Sequence, residues 1–278
     1  MYWFRCAAIL AISATAMADA GDYIVGGGIE ADTEDARVLV AFGEVGVGQD
    51  TWLFGSVANN TSELPNRADL ETWYGDIGID HWFKPIGVRA AIAYWGDSDT
   101  FDSVDWRASA YLRNDKASIE AEYEFRDFDL VFPSFDASPS RRGEFDATGL
   151  GLRASIDITE NVDFRIGGMD YDYSRDISLE DNPGLIDLIS FSRLSLINSL
   201  VDYRANLTLG LADDVRYWEL DIATWRGEVD GGRTDSYTIR FLTPMGNASD
   251  IELGIGFDDS ELYGSVTFFS LFVYFYGT

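Results

Sequence analysis

The chain has 278 residues and a formal net charge of −28, and 46% of its residues are hydrophobic. This acidity argues against nucleic acid as a partner, because phosphate binding depends on clustered Lys and Arg side chains. Acidic chains can be disordered, but the 14% of aromatic residues found here predict a folded protein instead.

Residues 1–20 have the pattern of a secretory signal peptide. A basic start precedes an apolar run over residues 6–14, and the small residues Ala18 and Ala20 offer cleavage sites. The apolar run is too short for a membrane-spanning helix, which needs about 20 residues. We therefore predict export by a cleaved signal, with residues 21–278 forming a single domain.

After the signal, extended segments separated by turn residues recur to the end of the chain. Many of them reach the roughly 9 to 11 residues that a strand needs to cross a membrane. We predict fourteen strands, at residues 22–31, 36–44, 50–59, 69–80, 86–96, 102–113, 116–127, 144–158, 161–173, 201–211, 215–226, 235–244, 250–258 and 261–276.

The seventh predicted strand shows the clearest alternation of apolar and polar residues. Successive side chains of a strand point to opposite faces, so residues 117–126 have one apolar and one charged face. A soluble barrel would bury the apolar face, whereas a membrane barrel would turn it toward lipid. Strand length favours the membrane barrel. The apolar face carries Ala117, Ile119, Ala121, Tyr123 and Phe125, and the polar face carries Ser118, Glu120, Glu122, Glu124 and Arg126.

The predicted connections differ between the two ends of the strands. Those after even-numbered strands are tight, as at Asn114-Asp115, whereas those after odd-numbered strands vary and include long loops at 128–143 and 174–200. Short turns on one rim and longer loops on the other are typical of outer-membrane barrels, in which the short turns face the periplasm.

With its export signal, alternating strands, unequal rims and aromatic closing strand, the chain resembles Gram-negative outer-membrane β-barrels. In size and strand number it is similar to the fourteen-stranded monomeric porin-like channels. The resemblance implies an all-β, antiparallel, up-and-down transmembrane barrel of about fourteen strands. It also implies a monomer among outer-membrane lipid and lipopolysaccharide, without a cofactor. Such barrels typically end in an aromatic residue, whereas here Tyr276 is followed by Gly277 and Thr278.

The polar faces of the predicted strands would form the wall of a lumen. Carboxylates and arginines opposed across it would create a transverse field that favours small polar or cationic solutes, which diffuse passively. The same residues could instead be a salt-bridged filling of a closed barrel with a structural or surface ligand-binding role. The predicted wall residues are Asp76, Asp80, Arg89, Asp105, Arg107, Arg113, Glu120, Glu122, Glu124, Arg126, Arg153, Arg165, Arg204, Glu219, Asp221, Arg240 and Glu252.

The segment 181–200 in the longest loop has the signals of a short helix. Asn182 and Pro183 form an N-cap and first-turn pair, and apolar residues follow at roughly helical spacing. The helix could fold inward as a plug or outward as a cap, or the segment could extend the next strand.

Enzymatic activity is not expected from this sequence. The single histidine, His81, lies beside a predicted periplasmic turn, so a histidine-dependent triad at the outer rim is disfavoured. Acidic clusters in the loops leave divalent-cation binding open, although none completes a calcium-loop pattern.

Overall fold

The computed structural model describes residues 21–62, 70–97, 101–132, 141–175, 177 and 200–277. Fourteen antiparallel strands form a closed barrel, which confirms the predicted fold class and strand number. Each strand pairs with its neighbours in sequence, and β1 closes the barrel against β14 with Tyr23 opposite Gly277. The strands are β1 (Tyr23–Asp32), β2 (Arg37–Gly48), β3 (Thr51–Ser62), β4 (Leu70–Trp82), β5 (Ile86–Gly96), β6 (Phe101–Arg113), β7 (Ala117–Phe132), β8 (Arg141–Thr159), β9 (Val162–Tyr173), β10 (Val201–Ala212), β11 (Tyr217–Gly227), β12 (Arg233–Pro244), β13 (Ser249–Ser260) and β14 (Gly264–Gly277).

Tight turns on one rim are held by short polar side chains. Asn114 Oδ1 accepts hydrogen bonds from the backbone N–H groups of Lys116 and Ala117, at 2.9 and 3.0 Å. Asp213 Oδ1 accepts two such bonds between β10 and β11, and they lower the pKa of its carboxyl group. Asn and Asp favour turns because their side chains bond to the backbone nearby. The predicted short-turn rim is confirmed.

The apolar face of the barrel wall points outward. Leu150 and Leu152 on β8 each have 65% of their surface exposed, whereas Glu124 on β7 is buried. The same alternation holds on the other strands, where large apolar side chains on the outward face are exposed. Alternation alone left open whether the apolar face points into or out of the barrel, and the structure shows that it points outward. Within the described ranges, no helix is long and apolar enough to cross a membrane.

Strands β7 and β8 are longer than the sequence predicts. They have 16 and 19 residues, so much of the predicted loop 128–143 is strand, and only residues 133–140 of it lie outside the described part. The alternation continues there with inverted polarity: Phe128 and Leu130 point inward, while Asp127 points outward. The predicted strand ends at residue 127, and from this residue on the outward face is no longer apolar. Residues 1–20 and all of the predicted helix except Leu200 also lie outside the described residues.

The inversion extends across neighbouring strands at the long-loop rim. We call the stretches of inverted polarity, whose residues are given at the end of this paragraph, the rim section. The remainder of the barrel wall is the belt section. Beneath the rim section, buried side chains pack into one apolar cluster, the rim core, which consists of Trp95, Phe101, Phe128, Leu130, Phe145, Ala147, Ile177, Leu200 and Val229. The rim section comprises residues 101–103 of β6, 127–131 of β7, 143–148 of β8 and 169–173 of β9.

Candidate functional site: the charged inner wall

All seventeen predicted wall residues occupy inward positions of the strands. Their neighbours in sequence form the outward face, and many of the seventeen are buried. Inward placement follows from the alternation, because a one-residue change of register would have turned each charge toward the apolar side. Whether these residues line a conducting path stays a prediction.

The densest group of charges surrounds Glu124, whose side chain is only 3% exposed. Its Oε1 lies 3.0 Å from Arg107 Nε and 3.7 Å from Arg126 Nε. Its Oε2 lies 3.3 Å from Arg204 Nη2 and accepts a hydrogen bond of 2.9 Å from Tyr171 Oη. One carboxylate therefore contacts three guanidinium groups.

A second carboxylate and a tyrosine extend this group along the wall. Asp105 contacts Arg107 Nη2 at 2.8 Å and Arg126 Nε at 3.3 Å. On the other side, Arg107 Nη1 donates a hydrogen bond of 3.2 Å to Tyr74 Oη. The contacts run from β4 through β6 and β7 to β10. We call these residues and those around Glu124 the Glu124 network.

Glycines on β8 leave room for the side chains of Tyr171 and Met169, which pack beside the Glu124 network. A Cβ atom on Gly149 would come within 2.7 Å of the Tyr171 ring, and one on Gly151 within 2.9 Å of Met169 Cε. The guanidinium of Arg204 lies over this surface, 3.4 Å from Met169 Sδ and 5.5 Å from the centre of the Tyr171 ring. Side chains at the glycine positions would occupy the space that these groups fill.

A smaller network lies near the short-turn rim. Glu219 Oε2 contacts Arg165 Nη2 at 2.7 Å, and Glu219 Oε1 contacts Arg240 Nη1. Arg165 Nε also contacts Asp163 Oδ1 at 3.0 Å, and Tyr217 Oη donates to the other oxygen of Asp163 at 2.9 Å. Here too one buried carboxylate holds two arginines from different strands.

The remaining predicted carboxylates have simpler surroundings. Arg89 contacts Asp80 at 2.7 Å, and Arg153 contacts Glu120 at 3.5 Å and Glu122 at 2.7 Å. Hydroxyl groups donate to the others: Ser56 to Asp76, Thr208 to Asp221 at 2.7 Å, and Tyr274 to Glu252 at 3.0 Å.

Sequence reasoning missed the tyrosines that donate to these carboxylates. Tyr171 lies between Asp170 and Asp172, and the two aspartates point outward while the ring points inward. In the rim section polarity no longer tells the two faces apart. Alternation along β9 is unbroken, so every second residue from Arg165, an inward residue of the belt section, also points inward. This rule would have placed Tyr171 on the inward face.

The single histidine does not lie in the charged wall. His81 pairs in register with Thr51 near the short-turn rim, and its Nδ1 lies 2.6 Å from Thr51 Oγ1. Its ring packs edge-on against Phe83 with centroids 4.1 Å apart. Among the described residues, no group of three or more His, Cys, Asp or Glu side chains is arranged to hold a metal ion.

Comparison with known proteins supports the fold. No protein-family model matches the chain, and no curated protein matches it. A loop L8 deletion mutant of OmpT, an outer membrane protein of Vibrio cholerae, is similar with a TM-score of 0.50 and 8% identity, covering 93% of this chain and 100% of that one. KdgM porin matches with a TM-score of 0.45 and 9% identity over 91% of this chain and 98% of that one. OccK11 of Pseudomonas aeruginosa has a TM-score of 0.45 and 8% identity, covering 93% and 98%. At such identities the likeness concerns the fold alone, which is that of outer-membrane barrels.

Proposed function

We propose that this protein is an outer-membrane channel through which small polar solutes diffuse passively, with a preference for cations. The observation that carries the proposal is the contrast between the two faces of one closed barrel. The outward face of the belt section is apolar, and the inward face carries the charged networks. Such a wall suits lipid on one side and water with solutes on the other.

The size of the barrel supports a lumen. Eight strands enclose only their own side chains, whereas about 16 to 18 strands leave an aqueous channel, and fourteen lie between these numbers. Gly149 and Gly151 leave room on the wall for Tyr171 and Met169, and the guanidinium of Arg204 lies on these two side chains.

The balance of charge supports the preference for cations. The predicted wall residues include nine carboxylates and eight arginines. Among the described residues, Glu30, Glu44 and Asp258 also point inward and add to the excess of carboxylates. Rings of carboxylates favour cations in pores.

We further propose that the chain is exported by a cleaved signal at residues 1–20. It would then fold as a monomer among outer-membrane lipid and lipopolysaccharide. Heat-modifiable migration on a gel is the expected behaviour of such a barrel. Identical migration of heated and unheated samples would contradict a membrane barrel.

Planar bilayers provide the direct test of conduction. The protein should give resolvable channels, and a salt gradient should give a reversal potential of the sign expected for cation preference. Changing Glu120, Glu122 and Glu124 together to Gln should reduce that preference. An unchanged reversal potential would show that these three carboxylates lie away from the conducting path. The absence of channels at high salt would overturn the proposal.

A closed barrel with a structural or surface ligand-binding role is the second candidate. The rim core favours it, because Phe101, Phe128, Leu130 and Val229 are each only 1% exposed at the long-loop end of the lumen. The bilayer experiment separates the two candidates, since a closed barrel would give no channels.

A further inference from the structure

We infer that Glu44 on β2 is a specificity-determining residue of the lumen, where its carboxylate pairs with passing cations rather than with a group of the protein. Glu44 is not among the seventeen predicted wall residues. The inference rests on the proposed channel function and deepens it, because it assigns a measurable share of the preference for cations to one side chain.

Glu44 differs from the predicted wall carboxylates in what surrounds its charge. Each of those nine carboxylates accepts a hydrogen bond or forms an ion pair. Across the described residues, the carboxylate of Glu44 does neither. Its charge is therefore left for the contents of the lumen to balance.

Apolar neighbours on the inner wall explain why Glu44 has no such contact. Ile24 on β1 and Phe54 on β3 lie opposite Glu44 in the register, and Phe42 is the preceding inward residue of β2. These side chains offer no hydrogen-bond donor. Glu44 is nevertheless partly exposed. Because a charge without a partner needs a polar medium, water and cations of the lumen are the groups that can stabilise it.

The arginine whose charge acts on Glu44 is held by another carboxylate. Arg89 donates two hydrogen bonds to Asp80 Oδ2, at 3.0 and 2.7 Å. The charges of Asp80 and Asp76 also act on Glu44, and they oppose the attraction of Arg89. Further charges act on these groups from the neighbouring wall, namely Arg107 on Asp76, and Glu120 and Glu122 on Arg89. Arg89 is thus shared among several carboxylates and does not neutralise Glu44 alone.

Reversal potentials in a KCl gradient test the inference, at about pH 8.5 so that carboxyl groups stay charged even where burial opposes ionisation. Glu44→Gln should lower the ratio of K⁺ to Cl⁻ permeability by about twofold or more, because it removes one unit charge beside the path of the ions. A smaller change would overturn the inference. Glu44→Asp, which keeps the charge, should stay closer to the unaltered protein than Glu44→Gln does.

Thiol labelling of a Glu44→Cys variant tests whether this position faces the lumen. The chain has one other cysteine, Cys6, which lies in the predicted signal peptide. An anionic methanethiosulfonate reagent should restore cation preference to this variant, and a cationic reagent should lower it further. Val45→Cys is the control, because Val45 lies on the outward face. Equal responses of the two variants would overturn the inference.

Folding supplies a readout that a structural role would move. Because Glu44 has no hydrogen bond or ion pair within the described ranges, Glu44→Gln should give a heat-modifiable barrel as readily as the unaltered protein does. If the variant does not fold, the carboxylate serves the structure of the barrel, and the inference is overturned.

The outcomes also separate the two proposals. If the unaltered protein does not conduct, the channel function fails. If it conducts and Glu44→Gln leaves the permeability ratio unchanged, the channel function stands, and the role of Glu44 is overturned.

Discussion

The belt and rim sections are built from the same strands with opposite polarity. On β7, Glu124 points inward and Phe125 points outward, whereas two residues further on Asp127 points outward and Phe128 inward. The alternation of side chains does not break between them. The inversion fits the proposed membrane location, because lipid around the belt section would require an apolar exterior, whereas water around the rim section would allow an acidic exterior with an apolar core.

Arg126 marks the boundary between the two sections. Its guanidinium contacts Asp105 and Glu124 on the belt side and lies 4.7 Å from the centre of the Phe128 ring on the rim side. An arginine suits this position because its planar cation can pair with carboxylates and stack on an aromatic face. On the proposed location, a single wall is built as a membrane barrel at one level and as a water-soluble barrel at the next.

The largest effect should follow from truncation in the rim core. Phe128→Ala should lower the free energy of unfolding by about 3–5 kcal/mol, because it leaves a cavity among packed apolar side chains. Tyr123→Ala, on the outward face of the belt section, is the control and should cost less, since lipid chains can fill the space. Denaturant titrations in lipid vesicles measure both, and equal losses would remove the distinction between the sections.

A charge on the outward face should have an effect that depends on the section. Leu152→Arg in the belt section should cost about 2–4 kcal/mol of stability if it lies near the middle of the bilayer. Asp146→Arg, on the same strand and face but in the rim section, should change stability by less than about 0.5 kcal/mol. It places a positive charge opposite Asp127 in the register. The same titrations test this, and a large cost at residue 146 would mean that lipid also surrounds the rim section.

The smallest effect should appear at the short-turn rim, outside both sections. Backbone N–H groups of Val215 and Arg216 lower the pKa of Asp213. Its contribution to stability is therefore present above the pKa of about 3.9 in the unfolded chain and is lost as the pH falls through the lower folded value. Asp213→Ala should destabilise the protein slightly at pH 7, and the difference from the unaltered protein should vanish in acid. A difference that stays constant as the pH falls below the unfolded pKa would contradict this account of the turn.

Strand number, rim asymmetry and the inward charges could be predicted because each depends on neighbours in sequence. Alternation places Glu120, Glu122 and Glu124 on one face whatever the partner strands are, and Asn114 signals its own turn. The end of β7 could not be found in this way. The rule that locates strands by an apolar outward face holds only in the belt section, and β7 continues beyond it.

The sequence by itself therefore determined which side chains of a regular strand share a face, because successive side chains point to opposite faces. Only the tertiary structure decided which charges meet. Arg204 is 80 residues from Glu124 in the chain, and two strands of the closed barrel, β8 and β9, separate them. Their contact depends on barrel closure, on the register of β8 and β9, and on glycines at the positions between them, none of which a single strand encodes.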